Sequence, residues 1–517
     1  MSSEIHPKLN VTQPNSGEHT VEPVSDPFVL VIYGASGDLA ARKVLPSIYK
    51  LYRRDLLPEK FAVMGVARTG FSDDSFRAAM LDAVKRYVPE TFDADSWNDF
   101  AGRLYYQPIQ YDSDESGKLL GKRLDEIDKA FGIRGNRVFY IALPPMLYET
   151  VIDNIGGAGL ARKEHGWTRI IIEKPFGNSL KTSRSLTNTL HKYFEENQIF
   201  RIDHYLGKET VQNILMFRFA NAIYEPIWNR RYIDHVQITA AESLGIEHRA
   251  GYYESAGVIR DMFQNHILQL LALVAMEPPA RFEAEEVRNE KTKVFRSIRP
   301  FDTKKLDESW AVGQYVVGIV DGKPVPDYRS EKDVPPNSNT PTFAAGVFHV
   351  DNWRWQGVPF FLRSGKRLAR GITEIAIQFK AAPHLMFDRV LAGYAGPNVL
   401  VFRIKPDEGI MQSFFTKVPG SRLCLQQVRM EFSYESVSSG AVFDAYQKVL
   451  IDCMSGDHML FVRQDGVELT WELLDPVLSA LNGFGPPAPY ASGSEGPANA
   501  DRLISKTGRD WRRLAEL

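Results

Sequence analysis

The sequence predicts a doubly wound α/β domain followed by an α+β domain built on a large, mainly antiparallel sheet. Three observations carry this expectation. Apolar runs of buried-strand type alternate with helical periods through the first two hundred residues. The first of these runs enters a glycine turn and then a helix. Beyond Ala345 strand patterns dominate, joined by short polar or glycine turns.

Residues 1–26 are rich in Pro, Ser, Glu and Asn without periodicity and read as a flexible leader, with order expected from Phe28. Phe28–Tyr33 has the continuous apolar character of a buried parallel strand. It leads into Gly34, Ala35, Ser36, Gly37, Asp38, Leu39 and Ala40, then a helical pattern through Leu45, Ile48, Tyr49 and Tyr52. Strand, glycine turn and helix in this order cradle a diphosphate. Gly34 and Gly37 permit the tight turn, and the free N–H groups at the helix start, around Ser36, Asp38 and Leu39, face the ligand. The spacing is G-x-x-G rather than G-x-G-x-x-G, so a turn without a ligand stays open at this point.

The second strand, Phe61–Ala67, ends at Arg68 and Thr69, where an NAD site places an Asp or Glu for the ribose hydroxyls. An arginine there pairs with a 2'-phosphate, so the expected coenzyme is NADP. Lys43 is a further candidate base, and both cations could instead be solvated. Ser72–Tyr111 mixes helical and loop character and yields no site. Arg137–Leu143 is another buried strand, stopped by Pro144 and Pro145. A helix through Tyr148, Val151 and Ile152 follows, then a strand Trp167–Ile172 that ends at Glu173, Lys174 and Pro175. Ligands collect at the carboxyl ends of such strands. A proline after Lys174 can fix an awkward or cis backbone that projects the lysine inward, the alternative being an ordinary loop lysine. A helix from Lys181 to Glu196 delivers the chain to Arg201.

Arg201, Ile202, Asp203, His204, Tyr205, Leu206, Gly207, Lys208 and Glu209 concentrate ionisable groups around two apolar residues, which suits a partly sheltered site as well as a solvated turn. A helix through Val211 to Phe219 follows, then a strand from His235 to Glu242 and a long helix ending at Met276. Helical spacing sets His266 beside Met262, Phe263 and Leu270, which fits either a core histidine or a shielded base next to a carboxylate. Glu290–Phe295 is too charged for core and reads as a helix edge or strand. Gln314–Gly318 reads as a strand edge, and 321–342 as a loop. Strands are expected at Ala345–Trp353, Pro359–Arg363, Ile372–Phe379, Val399–Ile404, Met411–Thr416 and Leu423–Tyr434. Arg363–Arg370 forms a basic turn between two of them, and Tyr446–Asp452 opens a helical region.

With 62 basic and 64 acidic residues, the charge of -2 argues for neither a nucleic-acid nor a membrane surface. No secretion signal or run of 18 apolar residues is present. The two cysteines, Cys424 and Cys453, make no disulfide framework, read as stranded, and fit a reducing compartment. There is no zinc-like Cys/His cluster, and no metal is expected.

A dinucleotide domain implies hydride transfer, which needs a base for the hydroxyl proton. His266 suits that role if Asp203 fixes its tautomer. His204, Tyr205 and Lys208 then gather an anionic substrate group, with Lys366 approaching from the sheet, while Glu242 and Asp261 accept hydrogen bonds from sugar hydroxyls.

Gly34–Ala40, Glu173–Gly177, Arg201–Glu209, Arg260 and Asp261 with Asn265 and His266, and Arg363–Lys366 together closely resemble the glucose-6-phosphate 1-dehydrogenase family, from about residue 28 to at least 475. The resemblance implies NADP-dependent oxidation of D-glucose 6-phosphate at C1 to 6-phosphoglucono-1,5-lactone, the first step of the oxidative pentose phosphate pathway, in the cytoplasm. It implies an α/β Rossmann-like coenzyme domain at 27–200 and, at 201–517, a substrate and oligomerisation α+β domain with a large mixed, mainly antiparallel sheet through which a homodimer or homotetramer forms. It also implies His266 as general base and Asp203 as its orienter, and His204, Tyr205 and Lys208 as a phosphate grip. Lys366 is a further substrate contact, Lys174 lies between coenzyme and sugar, Glu242 and Asp261 are sugar ligands, and Arg68 and Lys43 are coenzyme-side bases. The chain departs from the expected pattern at Pro341, Lys405, Gln447 and Gly466, outside the dyad and the grip; these bear on the sheet-side substrate edge, the oligomer surface and any second, structural NADP site. Another sugar-phosphate or polyol dehydrogenase, or a coenzyme-binding protein without turnover, are the competing expectations.

Overall fold

The computed structural model describes residues 23–161, 166–384, 396–420, 425–434, 443–483 and 485–514. β1 (Phe28–Tyr33) and β2 (Phe61–Ala67) are buried at every position. Strands so uniformly apolar belong in the middle of a parallel sheet covered on both faces. β3 (Leu104–Pro108), β4 (Arg137–Ile141), β5 (Thr168–Glu173) and β6 (Ile199–Ile202) complete the parallel set in the order β6-β5-β4-β1-β2-β3. A π-helical stretch Ala40–Val44 runs into α1 (Leu45–Tyr52) after β1. The span Ser72–Tyr111, which offered no elements by pattern, folds into α2 (Asp73–Tyr87), α3 (Ala94–Ala101) and β3. Ser72 and Asp93 start the two helices by accepting the Ser75 and Ser96 N–H groups. α4 (Asp114–Phe131) and α5 (Tyr148–Gly157) pack against the sheet. α6 (Leu180–His191) stops short of Glu196, where a 3-10 turn turns the chain into β6.

The nine-residue stretch therefore leaves a sheet strand, not a helix. Beyond it come α7 (Glu209–Ala220), β7 (Ile233–Ala241), α8 (Ala250–Val258), a nine-residue π-helix Ile259–Ile267, α9 (Leu268–Ala275) and α10 (Ala284–Ser297). The remaining strands are β8 (Trp310–Val316), a hairpin of β9 (Gly318–Val320) and β10 (Lys323–Val325), β11 (Phe343–His349), β12 (Pro359–Gly365), β13 (Ile372–Phe379), β14 (Val399–Lys405), β15 (Gly409–Lys417) and β16 (Leu425–Ser433). α11 (Ala445–Ser455), β17 (Phe461–Val462), α12 (Gln464–Leu481), β18 (Ala488–Ala491) and α13 (Ala498–Ser505) follow. β17 pairs antiparallel with β6, so the C-terminal part of the chain closes one edge of the first sheet.

The second sheet runs β16-β15-β14-β13-β7-β12-β11-β8-β18 and is mixed, with β7–β12 and β8–β18 parallel and the other pairs antiparallel. α9 is buried at every position and apolar at all but Gln269, and α7 and α10 pack on it. Such nearly all-round apolarity marks a helix inside the core.

Several expectations fail locally. Val24 is buried and its N–H bonds to the Leu56 carbonyl, so the last leader residues pack against the first domain; residues 1–22 lie outside the described residues. Gln314 to Val316 belong to an interior strand, because β18 pairs beyond it. Glu290, Lys291 and Thr292 are buried within α10 despite their polarity. Arg363 and Lys366 are buried rather than set in a solvated turn; Arg363 reaches Thr239 Oγ1 on the inner strand β7 at 3.1 Å and the Arg512 carbonyl in the C-terminal segment. Cys453 is buried and free on a helix rather than a strand, and Cys424 lies outside the described residues.

Gly34 has φ +83°, and a Cβ there would lie 2.3 Å from the Ala142 carbonyl oxygen at the end of β4. Gly34→Ala is expected to destabilise the protein by about 2 kcal/mol or more, from the left-handed backbone and the clash with a neighbouring strand. Urea unfolding measures this; an unchanged midpoint would show that the turn relaxes freely.

Candidate active site

The turn after β1 is built for close approach. Its Gly37 N–H bonds back to the Gly34 carbonyl at 2.9 Å, and the chain enters the helix at Asp38 and Leu39. Ser36 is exposed, and its Oγ accepts a 2.9 Å hydrogen bond from Thr69 Oγ1, which ties the turn to the end of β2. Arg68 stands beside it, exposed, 5.8 Å from the centre of the Tyr111 ring, with no ion pair among the described residues. An unpaired guanidinium at this strand end, with Thr69 next to it rather than an acid, fits a dinucleotide that carries a ribose phosphate. Asp38 pairs with Arg42 at 3.3 Å. Lys43 is exposed on the π-helical stretch, and no cleft residue is placed against it.

Asp203 follows β6 directly, and His266 lies near the end of the π-helix. His266 Nδ1–H donates to Asp203 Oδ1, which also accepts the Tyr205 N–H at 3.0 Å. Both side chains are 1% exposed. Burial works to raise the Asp203 carboxyl, but the His266 and His204 rings hold it down at about 2. Burial lowers His266 from its ordinary value; Asp203 opposes that and the Lys174 ammonium adds to it. The imidazole is therefore neutral at pH 7, with its proton on Nδ1 and a lone pair on Nε2.

Lys174, at the end of β5 and in a cis peptide with Pro175, points inward as expected. Its Nζ donates to His266 Nε2 at 2.8 Å, to Asp261 Oδ1 at 3.1 Å and to the Asp261 carbonyl at 3.0 Å. One lysine can touch both residues because the helix is locally wider. Residues five apart stand about 140° apart around an α-helix, whereas a π turn closes from i to i+5 and brings Asp261 and His266 toward one face. Burial opposes ionisation of Asp261, but Lys174 and Lys366 hold its carboxyl well below the ordinary range, and it acts purely as an acceptor.

The other predicted residues gather around this array. The Tyr205 ring stacks on His266 at 4.2 Å, and His204 meets His266 edge-on at 4.6 Å. Burial and His266 press His204 down to about 3, so it is a neutral donor. Lys208, at the N-cap of α7, reaches the Ile404 carbonyl at 3.4 Å and Glu408 at 3.8 Å. Burial lowers it, Glu408 opposes, and the charge of Lys405 lowers it further. Lys405 thus lies at the edge of the grip. Lys366 is buried, pairs with Glu242, and sits 5.2 Å from the Tyr253 ring centre. Of the other departures, Pro341 accepts the Val258 N–H, Gln447 completes the N-terminal capping box of α11, and Gly466 lies in the first turn of α12.

Sequence reasoning missed Tyr252, whose hydroxyl donates to Asp261 Oδ1 at 3.0 Å, Thr373, 3.5 Å from the Tyr205 hydroxyl, and Glu408. Tyr252 precedes a helix break at Gly257, whose φ of 58° and ψ of 175° interrupt any helical period, so spacing could not place it beside Asp261. Asp203, His204 and His266 present possible metal-ligand atoms within 4.8 Å of one another, the one such group among the described residues, and the shared proton already engages two of those residues.

Comparison with known proteins gives a consistent picture. Residues 31–213 match the family model described as glucose-6-phosphate dehydrogenase, NAD binding domain, and residues 215–512 match glucose-6-phosphate dehydrogenase, C-terminal domain. The chain is 45% identical over 488 residues to a glucose-6-phosphate 1-dehydrogenase of Aggregatibacter actinomycetemcomitans, covering 94% of this chain and 98% of that protein. It is 41% identical over 485 residues to that of Bacillus subtilis, covering 93% and 98%. A solved glucose-6-phosphate dehydrogenase in complex with its substrate glucose-6-phosphate superposes with a TM-score of 0.86 at 35% identity, covering 96% of this chain and all of that one.

Removing the Lys174 charge removes one cause of the low His266 pKa, so Lys174→Met should raise it. Histidine-selective NMR is expected to show a neutral, Nδ1-protonated His266 titrating below 6.5 in the unaltered protein and higher in the variant. A titration that stays in place would break the electrostatic link between the two residues.

Proposed function

The chain belongs to the glucose-6-phosphate dehydrogenase family, and from that membership and the array around His266 we infer its reaction. It oxidises D-glucose 6-phosphate at C1 to 6-phospho-D-glucono-1,5-lactone with reduction of NADP, the first step of the oxidative pentose phosphate pathway. The observation that carries this reading is a neutral imidazole whose Nδ1–H is fixed by a buried carboxylate, leaving Nε2 as a proton acceptor at neutral pH.

Bound NADP supplies the hydride acceptor. In our reading Gly34, Ser36, Gly37, Asp38 and Leu39 hold its diphosphate, Arg68 its 2'-phosphate, and Lys43 and Lys174 contribute charge. Substrate arrival transfers the bond at His266 Nε2 from Lys174 to the C1 hydroxyl, while Lys174 stays on Asp261. His266 then takes the hydroxyl proton as the C1 hydride departs, and Asp203 stabilises the imidazolium that results. Glu242 and Asp261 accept hydrogen bonds from the sugar hydroxyls, and Lys366 contacts the sugar from the sheet side. His204 donates neutrally to the phosphate, Tyr205 adds its hydroxyl, and Lys208 supplies charge that Lys405 reinforces.

The same reading assigns coenzyme handling to residues 27–200 and substrate binding with oligomerisation to 201–517. A homodimer or homotetramer joined through the large sheet follows from it, supported by the exposed apolar Met430 on β16, as does work in the cytoplasm. No helix of the described residues is long and apolar enough to cross a membrane.

The decisive assay follows the absorbance of reduced coenzyme. His266→Asn should lower kcat by about a hundred- to ten-thousand-fold while glucose 6-phosphate still binds; retained turnover would remove His266 from the chemistry. Lys208→Ala should raise KM for glucose 6-phosphate about tenfold or more, equivalent to at least about 1.4 kcal/mol, and leave any turnover of unphosphorylated glucose unchanged. Equal losses on both substrates would reject a phosphate contact. Arg68→Ala should erode the preference for NADP over NAD, and an unaltered ratio would assign that preference elsewhere.

A further inference from the structure

A second cavity, of about 410 Å³, lies on the far side of the grip stretch and is lined from α7, α10 and α11. Lys291 on α10 lines it, 5% exposed, with no hydrogen bond or ion pair among the described residues. Asp452 on α11 lines it as well, 3% exposed; its Oδ1 accepts from Lys448 at 2.7 Å and its Oδ2 has no hydrogen-bond partner. The walls between these groups are apolar, formed by Leu206, Leu215, Met216, Leu273, Phe282 and Leu460.

We propose that this cavity binds a small amphipathic monocarboxylate, its carboxylate on Lys291 and its apolar body against those walls. A buried ammonium without a hydrogen-bonded partner is costly, and burial together with the Arg288 guanidinium presses Lys291 down to about 7 against the pull of the Asp203 carboxylate. An anion is the ligand group that offsets this cost. Glu209, Asp452 and Asp457 share the cavity and oppose a dianion such as phosphate, but a single carboxylate is tolerated. Burial also raises Asp452 to about 6 against the pull of Lys448, so a ligand carboxylate beside its Oδ2 would favour the protonated form, which can donate to it. An uncharged ligand leaves Lys291 unpaired, and a cation drawn to the carboxylates leaves it unpaired too. Lys208 and His266 do not line the cavity, and Asp203 acts on Lys291 through its charge, with no hydrogen bond or ion pair between them among the described residues.

Isothermal titration of the full chain with sodium hexanoate tests this, with the substrate site filled by saturating glucose 6-phosphate and with hexylammonium run in parallel. One saturable hexanoate site is expected, with hexylammonium weaker than hexanoate; equal or tighter hexylammonium would contradict the carboxylate assignment. Lys291→Met keeps the length and removes the charge, and Met216→Trp fills the cavity from its exposed side; each should weaken hexanoate at least tenfold. Absence of saturable binding at millimolar hexanoate, or undiminished binding in Lys291→Met, would overturn the proposal. Should Lys291→Met fail to fold, undiminished binding in Met216→Trp overturns it alone.

Discussion

The site depends on one buried carboxylate having one imidazole to face. Asp203 comes from the end of the first sheet and His266 from a helix against the second, 63 residues on, and both are almost wholly enclosed. A charge so enclosed is stable only when it is paired and hydrogen-bonded. Removing one partner of such a pair typically costs about 3–5 kcal/mol. The contact therefore acts twice, fastening the first sheet to the second and setting the tautomer of His266.

Lys174 adds the second constraint. It touches His266 Nε2 and both oxygen types of Asp261, which is possible because the helix widens over Ile259–Ile267. Burial and the lysine together lower the imidazole, and in the proposed reaction the lysine stays on Asp261 when the substrate hydroxyl takes its place at Nε2. Acid and base are thus coupled: burial works to raise Asp203 and Asp261 and to lower His266, and the neighbouring rings and ammonium groups bring the two carboxyls below their ordinary range. The glycine turn after β1 is tied through Ser36 and Thr69 to the end of β2, next to Arg68, so the proposed adenosine end of the coenzyme site is fixed from two strands at once.

Much of this was legible in the residues. The apolar runs of β1, β2 and β13 coincide with the expected strands because their period and composition leave no other use for them. Asp203 and His266 were paired by chemistry, since a base needs an orienter, and the structure brings them together. What stayed hidden depended on contacts distant in sequence. β3 is half-exposed at two positions and carries a weak pattern, β18 turned an expected edge into an interior strand, and Arg363 and Lys366 look solvated until their partners on β7 and beyond it are seen. The π-helix has no sequence period to betray it, so the shared lysine contact with Asp261 and His266 could not be read in advance. Lys405 looked peripheral for the same reason, because its effect on Lys208 comes through space.

A double-mutant cycle on turnover tests the central claim, that Asp203 acts through His266. kcat is measured for Asp203→Asn, His266→Asn and the pair, with substrate and coenzyme saturating. If the carboxylate works by orienting the imidazole, the double variant is no slower than His266→Asn alone. Losses that multiply would contradict the account, because Asp203 would then contribute to catalysis independently of the base it faces.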